Sequence, residues 1–476
     1  MNMLNASTEA LPVAVIGAGP VGLAAAAQLT ERGLPFLLLE AGDKVGAAIR
    51  EWGHVRLFSP WIYNTDRTAR RMLEETGWTA PADSELPTGH ELVEHYLEPL
   101  SRLDAIRPHL RFGARVISVG RKDFDKARTA GRAQQPFELR LADGSSIEAR
   151  AVIDASGTWR TPNPVGSGGV KAPGEETFSA RISYGIPDVL DEARATFTGR
   201  RVLVVGSGHS AMNVILDLLD LQREAPGTQV IWALRRTSLD AVFGGGEADA
   251  LPARGTLGTR VREAVEAGRL QLLMPFRIRS IGEQDGALLV NGQSAADTQS
   301  VPVDRIVGTT GFRPDLDMLR EIRLDLDPWL EAPRALAPMI DPNLHSCGTV
   351  RPHGAQELAH PEQDFFVAGM KSYGRAPTFL MATGYEQVRS IVAALAGDHA
   401  AAARVELDLP ETGVCSAPTE METASSCCGS ATQTEPVESA AQTCCGGPPP
   451  SGVDACCLQD AAAKAAGEAG CGCSNS

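Results

Sequence analysis

Gly17, Gly19 and Gly22, with Pro20 among them, and Gly206, Gly208 and Ser210 have the types and spacing that bring bare backbone N–H groups up to a phosphate. Each set follows an apolar, β-branched run and opens an apolar stretch at helical spacing, the order a dinucleotide turn requires. Gly17 permits the tight turn, Gly19 lets amides approach a pyrophosphate, and Gly22 allows close contact between helix and strand. The next strand of the first unit ends in Glu40, near the spacing at which a carboxylate accepts hydrogen bonds from ribose hydroxyls. The corresponding strand of the second unit ends in Arg235 and Arg236 and carries no acid. A guanidinium suits a 2′-phosphate, which reads as NADPH at the second site and a nucleotide with a free ribose at the first. The alternative for the arginine pair is a solvated strand end.

The elements that must position these turns are short strands and the helices after them. Val13–Ile16 and Phe36–Leu39 read as strands around a helix over Leu23–Leu29; Arg201–Val205 and Gln229–Leu234 read as strands around a helix over Ala211–Leu219. Leu139–Leu141 and Ile147–Ala149 flank Asp143-Gly144 as a hairpin.

With these residues in hand, the chain resembles the two-dinucleotide-binding-domain flavoproteins, which include flavin-containing monooxygenases and thioredoxin-reductase-like enzymes. The likeness spans most of residues 11–400. It takes in Val152–Thr158, similar to the strand that leaves the flavin domain, and Ile306–Asp315, similar to the strand that returns to it. Phe365–Gly369 and Thr383–Gln387 resemble the closing strand and helix beside the flavin. The resemblance implies FAD at Gly17, Gly19, Pro20, Gly22, Glu40 and Gly369, and NADPH at Gly206, Gly208, Ser210, Arg235 and Arg236. It implies an α/β fold of two Rossmann-like domains, with an NADPH domain (170–304) inserted in a discontinuous FAD domain (10–165 and 305–405). Hydride would pass from nicotinamide to flavin and the electrons on to oxygen or another acceptor, with no Ser-His-Asp or metal-carboxylate set needed.

Two departures stand out. Many relatives carry Asp after the last strand's glycine to hold the ribityl chain, where this chain has Met370. The monooxygenase signature F-x-G-x-x-x-H survives only as Phe178–Tyr184, with Ala180 for the glycine and Tyr184 for the histidine. The segment Phe178–Pro187 reads as an interdomain connection.

Nine of the ten cysteines follow Pro410, and before it stands only Cys347. The core thus lacks the C-x-x-C pair of thioredoxin reductase, and Cys347 reads either as a nucleophile near a base or as a small packing residue. The tail, 410–476, presents Cys427-Cys428, Cys444-Cys445 and Cys456-Cys457 in a segment with eight acidic residues and Lys464 as its one basic residue. Little apolar surface there predicts a flexible tether. Vicinal thiols suit soft ions, trivalent arsenic or antimony through three thiolates, mercury or copper(I) through two; zinc ligands are usually spaced more widely, and incidental cysteines remain the plain alternative. Core and tail together resemble the FAD-dependent oxidoreductases associated with bacterial arsenic resistance, through Lys371–Phe379, His54–Trp61 and the paired thiols. Phe58 and Trp61 read either as walls of the isoalloxazine site or as packing between domains.

A length of 476 residues predicts two to three domains, and a net charge of −15 argues against nonspecific binding to nucleic acid or anionic membrane. There is no apolar run of membrane-spanning length, and Met1–Glu9 has no secretory character, so a cytoplasmic protein acting on a small-molecule or metalloid substrate is expected. The sequence leaves oligomeric state open.

Overall fold

The computed structural model describes residues 11–239, 242–243, 251–295, 297–344, 351–377 and 379–407. Cys347 and the tail cysteines lie outside the described residues. Strand β1 (Val13–Ile16) runs into the first glycine turn and helix α1 (Pro20–Glu31), followed by β2 (Phe36–Leu39). Pro20 occupies the first helical turn, where its missing N–H costs nothing. Helix α1 is buried from Val21 to Leu29, an all-round burial that its four consecutive alanines permit.

The chain then makes short helices before β3 (Leu110–Arg111), an antiparallel sheet of β4 (Val116–Arg121), β5 (Phe137–Leu141) and β6 (Ser146–Ala149), and β7 (Ala151–Asp154). The expected hairpin is present: Gly144 has φ +87° and its amide donates to Leu141 O.

The second half contains β8 (Ile182–Tyr184), β9 (Arg201–Val205), helix α2 (His209–Glu224) and β10 (Gln229–Ala233). Helix α3 (Pro252–Glu266) leads to β11 (Gln271–Leu273). A three-stranded antiparallel sheet of β12 (Phe276–Gln284), β13 (Ala287–Ser294) and β14 (Asp297–Val303) precedes β15 (Arg305–Gly308). Strand β16 (Phe365–Val367) and helix α4 (Met381–Leu395) complete the first half, where α4 packs on α1.

Two parallel five-stranded sheets result, ordered β16-β7-β1-β2-β3 and β11-β10-β9-β15-β8. The strands inside each sheet, β7, β1 and β2 in one and β10, β9 and β15 in the other, are largely apolar and buried because both faces are covered, while the edge strands β3, β8 and β11 are shorter and more polar. Two details differ from the sequence reading. Strand β15 belongs to the second sheet, between β9 and β8, so the chain recrosses after Gly308 and not at residue 305. Residues Phe178–Pro187 are not a free connection, since β8 is the edge strand of that same sheet. An apolar strand carries no label for the sheet it joins; pairing across more than a hundred residues decides it.

The halves are joined by two adjacent segments. Asn163 N donates to Gly311 O at 2.9 Å and Arg313 N to Thr161 O at 3.0 Å, so the outgoing and returning chains form a short antiparallel ladder.

Candidate functional site

The first turn is built by close approach. Gly17 has φ +98°, and a Cβ there would lie 2.8 Å from Ala155 O. A Cβ on Gly22 would lie 1.8 Å from Gly17 O, which leaves no side chain possible while α1 starts where it does. Gly19 differs: no protein atom lies within 4 Å of its added Cβ. This is open space at a helix N-terminus, beside N–H groups that have no intrahelical acceptor, and a pyrophosphate fits it. Glu40, at the end of β2, is 8% exposed; its Oε2 accepts from Ala18 N and its Oε1 from Gly42 N, both at 2.8 Å. Each carboxylate oxygen keeps a lone pair for a ribose hydroxyl.

Behind the turn, at the carboxyl ends of β7 and β16, lies a group that joins Gly369, expected at the flavin, to partners whose mutual contacts the sequence did not disclose. Lys371 Nζ is 2.7 Å from Asp154 Oδ2 and 3.1 Å from Ser156 Oγ, and both ion-pair side chains are fully buried. Ser156 donates to Asp154 Oδ1 through both its amide and its hydroxyl. Gly369, φ +71°, donates its amide to Gln387 Oε1 at 2.7 Å, and Gln387 Nε2 donates to Ser372 Oγ and to His353 Nε2. Since a carbonyl only accepts, His353 Nδ1 carries the proton it gives Arg351 O, and burial pushes this imidazole below its ordinary value. Nothing local marks these partners; Lys371 and Asp154 are 217 residues apart.

The second turn repeats the design. Gly206 has φ +138° and its Cβ would fall 2.4 Å from Thr309 O, while Trp232 Nε1 donates to Gly206 O at 2.7 Å. A Cβ on Gly208, like one on Gly19, would meet nothing within 4 Å. Ser210 lies in the first turn of α2, whose N-cap is Gly208. Arg235 and Arg236 are exposed at the end of β10, and Arg235 Nη1 donates to Ser167 O at 3.1 Å. Ala233 of β10 is in register with Val205, which leads into Gly206, so the chain enters Arg235 and Arg236 next to the strand end that carries the second turn, as it enters Glu40 next to the first.

Segment 51–61 of the first half reaches across to the second. The Phe58 ring lies 5.4 Å from the His209 ring at the start of α2, and the Arg254 guanidinium is 6.0 Å from Phe58. Trp159 Nε1 donates to Glu51, and Trp159 packs against Trp52 and Phe312. Burial pushes His54 below the usual imidazole range, partly opposed by Asp188. Trp61 is buried and lines a cavity of about 750 Å³ with Arg56, Trp78, Glu91 and His95. Phe58 thus packs between the halves, one of the two expected uses of that residue.

The altered signature has a structural explanation. Ala180 lies in a single turn, Ser179–Arg181, and Tyr184 donates its hydroxyl to Glu175, a buried carboxylate that also accepts from Val165 N, Gly166 N and Ala172 N. Tyr184 fastens the loop over residues 165–172 to the second sheet. Cys427, Cys428, Cys444, Cys445, Cys456 and Cys457 lie outside the described residues, as does Cys347. Among the described residues no group of three or more His, Cys, Asp or Glu could hold a metal ion, and no helix is long and apolar enough to cross a membrane.

Residues 14–346 match the sequence profile of pyridine nucleotide-disulphide oxidoreductase. The chain is 28% identical over 331 residues to a ferredoxin–NADP reductase of Gluconacetobacter diazotrophicus, covering 68% of this chain and 78% of that one. It is 33% identical over 210 residues to an indole-3-pyruvate monooxygenase of Oryza sativa subsp. japonica, covering 43% and 44% of the two chains. Among solved structures, bacillithiol disulfide reductase from Bacillus cereus shares the fold with a TM-score of 0.59 at 19% identity, covering 81% of this chain and 99% of that one.

Proposed function

The chain belongs to the pyridine nucleotide-disulphide oxidoreductase family, and we propose from this premise and its two unequal turns that it is an NADPH-dependent FAD oxidoreductase. FAD fits the first turn and NADPH the second. When bound, the two groups supply hydride transfer and onward delivery of electrons. The chain holds and orients them: backbone amides at Gly19 and Gly208 for the pyrophosphates, Glu40 for a ribose diol, Arg235 and Arg236 for a 2′-phosphate.

The acceptor we propose is oxygen, in a flavin monooxygenase that serves resistance to arsenic or another thiophilic metalloid. The observation that carries this is the cysteine distribution: with Cys347 alone before Pro410, the core offers no dithiol to relay electrons. The three vicinal pairs beyond Pro410 favour a second reading, a thiol-linked metalloid reductase in which tail pairs take the electrons or present the substrate. A third, of another class, makes the tail a metalloid-sequestering tether and the core a redox sensor. Reduced tail thiols suit a cytoplasmic setting.

Oxygen uptake, peroxide release, NADPH consumption in air and without it, and arsenite binding, measured on the full chain and on a chain ending at Pro410, the turnover readings with and without arsenite, test the three. Arsenite-dependent uptake without equivalent peroxide is the expected result for both. Anaerobic, arsenite-dependent NADPH consumption lost on truncation would move the assignment to the reductase. Arsenite binding lost on truncation, with an NADPH oxidation that arsenite never alters, would move it to sequestration.

A further inference from the structure

The buried Lys371–Asp154 pair is the one ion pair of the described residues with both side chains at zero exposure. It lies at the carboxyl edge of the first sheet, where Asp154 is in register with Ile16 of β1 and Val367 of β16. β1 leads directly into Gly17, and β16 through Ala368 into Gly369. Gly17 is pressed against Ala155 O, and the added Cβ of Gly369 would meet Val21 of α1 at 3.2 Å. Lys371 therefore ties the chain leaving β16 directly to the end of β7, and through the contact of Ala155 and Ser156 with Gly17 it bears on the end of β1, the three strand ends that border the space in front of Gly19. No part of Lys371 is open to that space, so it touches no ligand there itself.

Burying two charges is costly, and an apolar pair of similar size commonly folds as well. A fold that needed only packing here has no use for the pair. What it supplies is direction: the ammonium donates to Asp154 and Ser156, Asp154 accepts from the Ser156 amide, and the chain from Ala155 to Ser156 is held against Gly17. On the opposite side Gln387 and Ser372 hold the turn that carries Lys371.

We propose that Lys371 is a positioning residue for the first dinucleotide site: through Asp154 and Ser156 it fixes the backbone of the glycine turn and of Gly369 in one arrangement that FAD binds. This rests on the reading of the first turn as the FAD site. The pair acts through geometry, so an uncharged pair restores the fold and not the arrangement.

The test uses the full chain freed of flavin, with Lys371→Met, Asp154→Asn and the double variant, and reads FAD affinity by fluorescence quenching, the visible spectrum of bound FAD, NADPH affinity, and melting with and without FAD. Each single variant leaves one buried charge unpaired and lowers melting. The double variant recovers melting toward wild type, yet binds FAD at least about tenfold more weakly, with a visible spectrum shifted toward free FAD and NADPH affinity unchanged. A double variant with wild-type FAD affinity and spectrum overturns the proposal and leaves the pair as mutual neutralisation. Wild-type protein that binds no FAD at all would instead remove the reading of the site on which the proposal stands. Single variants that do not fold leave the double variant to decide.

Discussion

Glu40 Oε2 accepts the amide of Ala18 at 2.8 Å, so the carboxylate that ends β2 is fastened to the turn that ends β1. The residue read as a ribose acceptor is also a brace of the phosphate turn. Glu40→Ala therefore loses two things at once, and FAD affinity falls by about tenfold to a hundredfold, since hydrogen bonds to charged groups are each worth about 1.5–3 kcal/mol. Titration of flavin-free protein reads this, and NADPH affinity serves as the internal control. Unchanged FAD affinity contradicts the role of Glu40.

Gly19 and Gly22 separate binding from folding. An added methyl at Gly19 meets no protein atom, and its backbone, φ −83° and ψ −172°, is extended and open to any residue. Gly19→Ala should melt like wild type without flavin and lose FAD, because the methyl occupies the phosphate's place. Gly22→Ala drives a methyl to 1.8 Å from Gly17 O and should lower the melting of the flavin-free protein, with a cost of about 3 kcal/mol or more.

Arg235→Ala with Arg236→Ala should weaken NADPH by at least about tenfold and leave NADH unchanged, as expected when a charged hydrogen bond to a 2′-phosphate is removed. Steady-state kinetics with both coenzymes measures it. Equal loss for both, or none, returns the pair to a solvated strand end.

Two titrating groups give opposite pH signatures. Burial pushes the Asp66 carboxyl up to about 6 from 3.8, only partly offset by the Ala69 amide it accepts as the N-cap of the helix Arg67–Glu74. The native state then holds the proton more tightly than the unfolded state, so this group's contribution to stability falls as pH rises from about 4 through about 6. Asp66→Asn keeps the cap and removes that slope, and melting curves should show the variant gaining on wild type across that window. Burial alone would raise Glu362, but Arg132 and Arg121, 2.7 and 2.9 Å away, hold it below the usual carboxylate range. Its contribution is present above the unfolded carboxylate value and lost as pH falls through the lower native one. Glu362→Gln leaves two buried guanidinium groups with backbone carbonyl acceptors but no carboxylate, and should cost about 3–5 kcal/mol at neutral pH.

The sequence disclosed what is local. Turn geometry at Gly17 and Gly206 is written in the residues themselves, because only glycine takes φ of +98° and +138° with backbone oxygens so close. Glu40 and the arginine pair follow from strand length. The membership of β15 and β8 was not legible, because strand partners are chosen over long separations. Lys371 was equally hidden: its role arises from Asp154, 217 residues earlier, and no pattern around it announces a buried cation. The histidine lost from the monooxygenase signature was visible as an absence, whereas the function of its replacement, Tyr184 donating to Glu175, needed the loop over residues 165–172 in place.

On the proposed function, NADPH at the second turn reduces FAD at the first. Anaerobic rapid mixing of the FAD-loaded full chain with NADPH reads this in one trace. The visible band of oxidised FAD should bleach at a rate that saturates with NADPH, slower with NADH at equal concentration, and unaffected by truncation at Pro410. A flavin band that stays unbleached after NADPH is added, in protein shown to bind both, would contradict it.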